Sequence, residues 1–121
     1  MSILNETILY VDLTKLEENF IFLKKKLNPK IKIIGVVKAF AYGHGDISIS
    51  KKLEELGVDA LWVSDFEEGI ILREGGINIK IIVANPGIKS YKKIIQYNLD
   101  VVLYNQKLLD LYCLNKNNIN I

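Results

Sequence analysis

The sequence predicts an α/β fold in which short parallel strands alternate with helices. Two layouts satisfy that pattern, an open doubly wound sheet or an arc of a (βα)8 barrel. Three observations carry the expectation. Apolar runs such as Ile33 to Val37, Ala60 to Val63 and Ile79 to Ala84 lack polar alternation, as strands covered on both faces do. Between them lie amphipathic stretches with helical spacing, and the strand-helix pair recurs about every twenty to thirty residues, the length of a βα unit. Neither GxGxxG nor GxxxxGK[ST] occurs, which disfavours the nucleotide-binding versions of this architecture.

Taken in order, Thr7 to Val11 is a strand candidate, with Thr7, Leu9 and Val11 on one face. Thr14 and Glu17 have capping-box spacing and open a helix whose face is Leu16, Phe20, Leu23 and Leu27, stopped at Asn28-Pro29. Ile31 to Lys38 is the next strand, expected to be covered on both faces. A helix opens near Asp46, carries Ile47, Ile49, Leu53 and Leu56, and stops at Gly57. Ala60 to Val63 is a strand. Ser64 and Glu67 repeat the capping-box spacing ahead of Phe66, Ile70 and Leu72, and Gly75-Gly76 closes that helix. Ile79 to Ala84 is a strand ended by Asn85-Pro86-Gly87. Ile88 to Tyr97 reads as helix with Tyr91, Ile94 and Ile95 inward, Asp100 to Tyr104 as strand, and Gln106 to Leu114 as helix before an asparagine-rich tail.

One stretch carries chemistry. The strand ending at Lys38 runs straight into Ala39-Phe40-Ala41-Tyr42-Gly43-His44-Gly45. A lysine at the exit of a buried strand must reach water or shift toward its neutral amine. A neutral amine there is suited to imine formation; the alternative is a lysine that snorkels into solvent. Gly43 and Gly45 let backbone approach a ligand or take up positive φ.

Val36 through Gly45 closely resembles the pyridoxal-phosphate lysine motif of alanine racemases. The resemblance runs from Tyr10-Val11-Asp12-Leu13 to Tyr104 and includes Phe66-Glu67-Glu68-Gly69, Leu72 to Ile77 and the Ile81-Ile82-Val83 strand. It implies the N-terminal portion, about half, of a PLP-binding (βα)8 TIM-type barrel. Residues 1–121 would then be a truncated barrel domain, with a leading strand over 1–12, βα units over 13–114 and a polar tail over 115–121. It further implies that Lys38 forms the Schiff base with pyridoxal 5'-phosphate and that Tyr42 hydrogen-bonds the cofactor phosphate. Loop amides near Gly43 and Gly45 would add to the phosphate cradle. The family usually has a small polar residue where this chain has Phe40. The family activity is interconversion of L-alanine and D-alanine, which supplies D-alanine for peptidoglycan. Full-length members are homodimers in which the leading strand pairs with a C-terminal β domain. A tyrosine from the partner's C-terminal domain serves the face of the substrate opposite the lysine. The partner of the cofactor ring nitrogen comes from a later strand, beyond Ile121. The 121 residues alone are therefore expected not to racemise alanine. A non-catalytic PLP-binding barrel and an inactive remnant are the competing readings, and the Ala41-to-Gly45 tail favours the racemase.

Composition narrows the remaining classes. The net charge is +2, Arg73 is the only arginine, and no basic stripe is interleaved with aromatics, which argues against nucleic acid. Lys24-Lys25-Lys26 reads as a solvated last helical turn. The sole cysteine, Cys113, excludes a disulfide framework and a zinc-type cluster, so no metal site is expected. No apolar run reaches membrane-spanning length and no leader pattern opens the chain, so the default location is cytoplasmic. His44 is read as loop-shaping, and Asp65, Glu67 and Glu68 as helix-capping and dipole-facing carboxylates. Arg73 is read as a helix-end residue. Tyr10, Tyr91, Tyr97, Tyr104 and Tyr112 are read as packing with wet hydroxyls.

Overall fold

The computed structural model describes residues 7–114. Four short strands form one parallel sheet in chain order: β1 (Ile34–Val36), β2 (Ala60–Val63), β3 (Lys80–Val83) and β4 (Asp100–Val101). The register sets Gly35 beside Leu61 and Ile81, and Val36 beside Trp62, Ile82 and Asp100. Helices α1 (Leu13–Lys25), α3 (Asp46–Glu55), α4 (Phe66–Glu74), α5 (Tyr91–Gln96) and α6 (Gln106–Cys113) connect or flank the strands, with a 3-10 turn over Ile88–Ser90. The short helical segment α2 (Lys38–Tyr42) belongs to the candidate site.

The core lies between sheet and helices. Leu61, Val63, Ile81, Val83 and Val101 point into it from the strands, and Leu53, Leu72, Ile94, Leu108 and Tyr112 meet them from the helices. Gly35 is a close-approach position. A Cβ there would stand 2.8 Å from Leu53 Cδ1 and 3.2 Å from Leu61 Cδ2, so only glycine lets α3 pack this tightly on β1. The opposite face is open. Ile34 and Val36 are 47% and 44% exposed, which corrects the expectation that the lysine strand is covered on both faces. Four strands are half of the eight that close such a barrel, so the inner face lacks the side chains that would fill it. β1 is also shorter than the expected Ile31 to Lys38.

Three further expectations fail locally. Thr7 to Val11 forms no strand: Ile8, Leu9 and Tyr10 are exposed, and a strand without a ladder partner has nothing to hold it. Helix α1 is capped by Asp12, whose Oδ1 accepts from the amides of Thr14 and Lys15, and not by Thr14. Glu17 instead pairs with Lys52 Nζ at 2.6 Å, tying α1 to α3. That hydrogen bond raises the Lys52 pKa. Phe20 is buried, but Leu23 and Leu27 are exposed, so the far half of the α1 face finds no cover among the described residues. The polar tail expected at 115–121 lies outside the described residues.

Arg73 does more than end a helix. Its guanidinium donates to four carbonyls: Tyr97 O at 3.0 Å, Ile77 O at 2.9 Å, Ile79 O at 2.7 Å and Asn98 O at 2.9 Å. It closes the end of the sheet opposite the lysine by joining the entries to β3 and β4. Burial lowers its pKa, and the nearby carboxylates of Asp100 and Glu54 oppose that shift. Tyr91 and Tyr112 pack edge to face with ring centroids 5.1 Å apart. Their hydroxyls are buried and have no hydrogen-bond partner among the described residues, which corrects the expectation of wet hydroxyls for this pair.

Candidate active site

The site is the rim formed by the C-terminal ends of the strands. The amide of Val37 still donates to Trp62 O at 3.0 Å, so the β1 ladder runs up to Lys38. The backbone then changes hand. Ala39, Phe40, Ala41 and Tyr42 have φ of 52°, 57°, 51° and 54°, so α2 is a single turn of left-handed helix. Each non-glycine residue in that conformation costs about 1–2 kcal/mol, and four in succession persist only where the surroundings hold them. The amide of Ala41 donates to Val37 O at 3.0 Å, and the amides of Gly43 and Gly45 donate to Phe40 O at 3.1 and 3.0 Å. Ala41 is buried, anchoring the turn in the core.

These bonds correct one expectation. The amides of Gly43, His44 and Gly45 are all engaged within the turn, so they do not stand free as an anion cradle. The backbone needs them to satisfy its own carbonyls. His44 folds back on Ala41 O through its amide at 3.1 Å and its ring Nδ1 at 3.0 Å, in keeping with a loop-shaping role.

The structure does bring Lys38 and Tyr42 together. Lys38 Nζ lies 6.0 Å from the centroid of the Tyr42 ring, and both side chains are exposed on the rim. Of the two options open to a strand-end lysine, this one reaches water. An accessible primary amine beside a phenol fits the aldehyde and one phosphate contact of pyridoxal phosphate. The rest of a phosphate cradle is not formed by this loop.

The four strand exits are linked side by side. Glu68 Oε1 accepts from the amide of Ala39 at 2.7 Å, and Glu68 Oε2 from the amide of Ser64 at 2.7 Å. The amide of Asn85 donates to Ser64 O at 2.9 Å, and the Tyr104 hydroxyl donates to Asn85 Oδ1. Helix α4 is capped by Asp65, which accepts from the amide of Glu68 at 3.0 Å, one residue later than the expected Ser64. Glu68 thus joins β1 to β2, a contact that helix-end reasoning missed. The signal available was Asp65-x-x-Glu68 immediately after a buried strand.

Known proteins place this arrangement. The family described as "Alanine racemase, N-terminal domain" matches residues 11–118. The chain belongs to the alanine racemase N-terminal domain family. An alanine racemase of Halothermothrix orenii is 42% identical over 90 residues, covering 74% of this chain and 24% of that protein. One from Streptococcus equi subsp. zooepidemicus is 33% identical over 106 residues, covering 87% and 29%. The solved alanine racemase of Clostridium difficile 630 superposes with a TM-score of 0.80 at 33% identity, over 87% of this chain and 28% of that one. The chain thus spans about a quarter of the racemases it matches. The matching region is their barrel start, which decides between the two layouts in favour of the barrel. No helix among the described residues is long and apolar enough to cross a membrane.

Proposed function

We propose that this chain is the cofactor-lysine portion of an alanine racemase, with βα units over 13–114. Lys38 attaches pyridoxal phosphate covalently, Tyr42 hydrogen-bonds its phosphate, and the complete homodimeric enzyme interconverts L- and D-alanine. The observation that carries this reading is the match of residues 11–118 to the alanine racemase N-terminal domain family, with Lys38 at the β1 exit and its Nζ 6.0 Å from the Tyr42 ring.

Pyridoxal phosphate, when bound, supplies an electron sink that acidifies the α-proton of an amino acid. The contribution of this chain is positional. The left-handed turn presents Lys38 Nζ to one side of the rim, where it can take up or return a proton. Tyr42 offers its hydroxyl four residues on, from the same turn. A single amine on a single strand serves one face of a planar carbon, so exchange on the other face needs a group outside these residues.

Incubation with pyridoxal phosphate, borohydride reduction and peptide mapping tests the assignment. The pyridoxyl group is expected on Lys38 in preference to the exposed Lys24, Lys25 and Lys26. Label spread evenly over the surface lysines overturns it.

A further inference from the structure

We propose that Glu68 is the positioning residue for Lys38: its carboxylate holds the peptide that follows the lysine and so fixes how the amine is presented. The reading of Lys38 as the cofactor lysine underlies the second half of this statement; the clamp itself stands on geometry alone.

The amide that Glu68 Oε1 accepts, at 2.7 Å, is that of Ala39. This N–H belongs to the peptide plane between Lys38 and Ala39. Fixing that plane fixes ψ of Lys38 and φ of Ala39, which are the two torsions at which the chain leaves the strand and changes hand. Ala39 is the first of the four residues at positive φ. The second oxygen, Oε2, accepts from the amide of Ser64 at 2.7 Å, at the exit of β2. The carboxylate is therefore braced against a neighbouring strand and cannot follow the turn if the turn relaxes. The Glu68 amide makes a separate bond to Asp65 at 3.0 Å, which caps α4 and takes no part in holding the carboxylate. A carboxylate at the third residue of α4 also sits at the positive end of that helix. Two charge-assisted bonds from one rigid group are the kind of restraint that a strained turn requires.

Glutamine cannot replace it. Its amide oxygen can accept from one of the two N–H groups, but its NH2 would face the other, donor against donor. Glu68→Gln and Glu68→Ala should both free the Ala39 peptide, while Asp65→Ala, which loses the α4 cap without touching the turn, should not.

The test compares the unsubstituted chain with Glu68→Gln, Glu68→Ala and Asp65→Ala in two measurements. Without cofactor, amide hydrogen exchange at Ala39 and Ser64 is expected to quicken about tenfold or more in the Glu68 variants, the loss of a charge-assisted bond, and to stay within about twofold in Asp65→Ala. With pyridoxal phosphate and borohydride, labelling of Lys38 is expected to fall several-fold in the Glu68 variants and to hold in Asp65→Ala. Unchanged Ala39 exchange in both Glu68 variants overturns the clamp. Quickened exchange with undiminished Lys38 labelling overturns its role in presenting the amine. If Lys38 of the unsubstituted chain takes no label, the cofactor reading fails and the exchange data still decide the clamp. Should Glu68→Ala not fold, Glu68→Gln carries both measurements.

Discussion

Phe40 is the residue least suited to its backbone. It sits at φ 57° and is 60% exposed as a residue, so it carries the left-handed penalty with little burial in return. Asparagine visits this region far more readily than a bulky residue does. Phe40→Asn is expected to stabilise the chain by about 1 kcal/mol, raising the thermal midpoint by roughly 4–8 °C. A calorimetric midpoint that falls would show that the ring packs in a way its exposure does not suggest. Tyr112 is the opposite case, a wholly buried side chain whose hydroxyl finds no partner among the described residues. Burial, assisted by Tyr91, pushes its pKa up to about 12 from the ordinary 10.0. A group whose folded pKa is raised gives stability that is whole below the unfolded value and is lost as pH climbs through the folded one. Tyr112→Phe is expected to gain about 1 kcal/mol at neutral pH by removing an unsatisfied polar group. Its advantage should widen between about pH 10 and 12. Denaturant midpoints at neutral and alkaline pH check both parts.

At the scale of the element, the helix starts are instructive. Spacing predicts caps at Thr14 and Ser64, yet the chain uses Asp12 and Asp65. Both alternatives place a polar oxygen before the same apolar face, and the carboxylate adds its charge to the helix dipole. Which residue caps depends on where the preceding segment turns, and local spacing cannot say. Glu17 was also drawn away by Lys52, a partner on another helix. Asp12→Ala is therefore expected to cost about 1 kcal/mol, while Thr14→Ala stays within about 0.5 kcal/mol, both read from denaturant midpoints. A larger loss at Thr14 would restore the spacing-based cap.

At the scale of the whole molecule, the sheet has a covered outer face and an open inner one. The rim is lined up from β1 to β4 through Glu68, Ser64, Asn85 and Tyr104, but it bounds half a barrel mouth. The 121 residues, supplied with pyridoxal phosphate, are accordingly expected to show no useful conversion of L-alanine to D-alanine. Chiral chromatography of the product detects it, and robust cofactor-dependent turnover would mean that both faces of the substrate are served from this half alone.

The sequence by itself determined the alternation of strands and helices, the strands at Ala60 to Val63 and Ile79 to Ala84 to within a residue, and the lysine motif with Tyr42. These follow from short-range rules: apolar runs, helical spacing, turn residues and an uninterrupted motif. Only the tertiary structure decided that Lys38 to Tyr42 winds left-handed, that the loop amides serve the turn and not a ligand, that Glu68 bridges two strand exits, and that Arg73 gathers four carbonyls. Each of those contacts joins groups far apart in the chain or depends on a torsion that no single residue type dictates. The open inner face has the same origin, because whether a strand is covered is a property of its neighbours and not of its own residues.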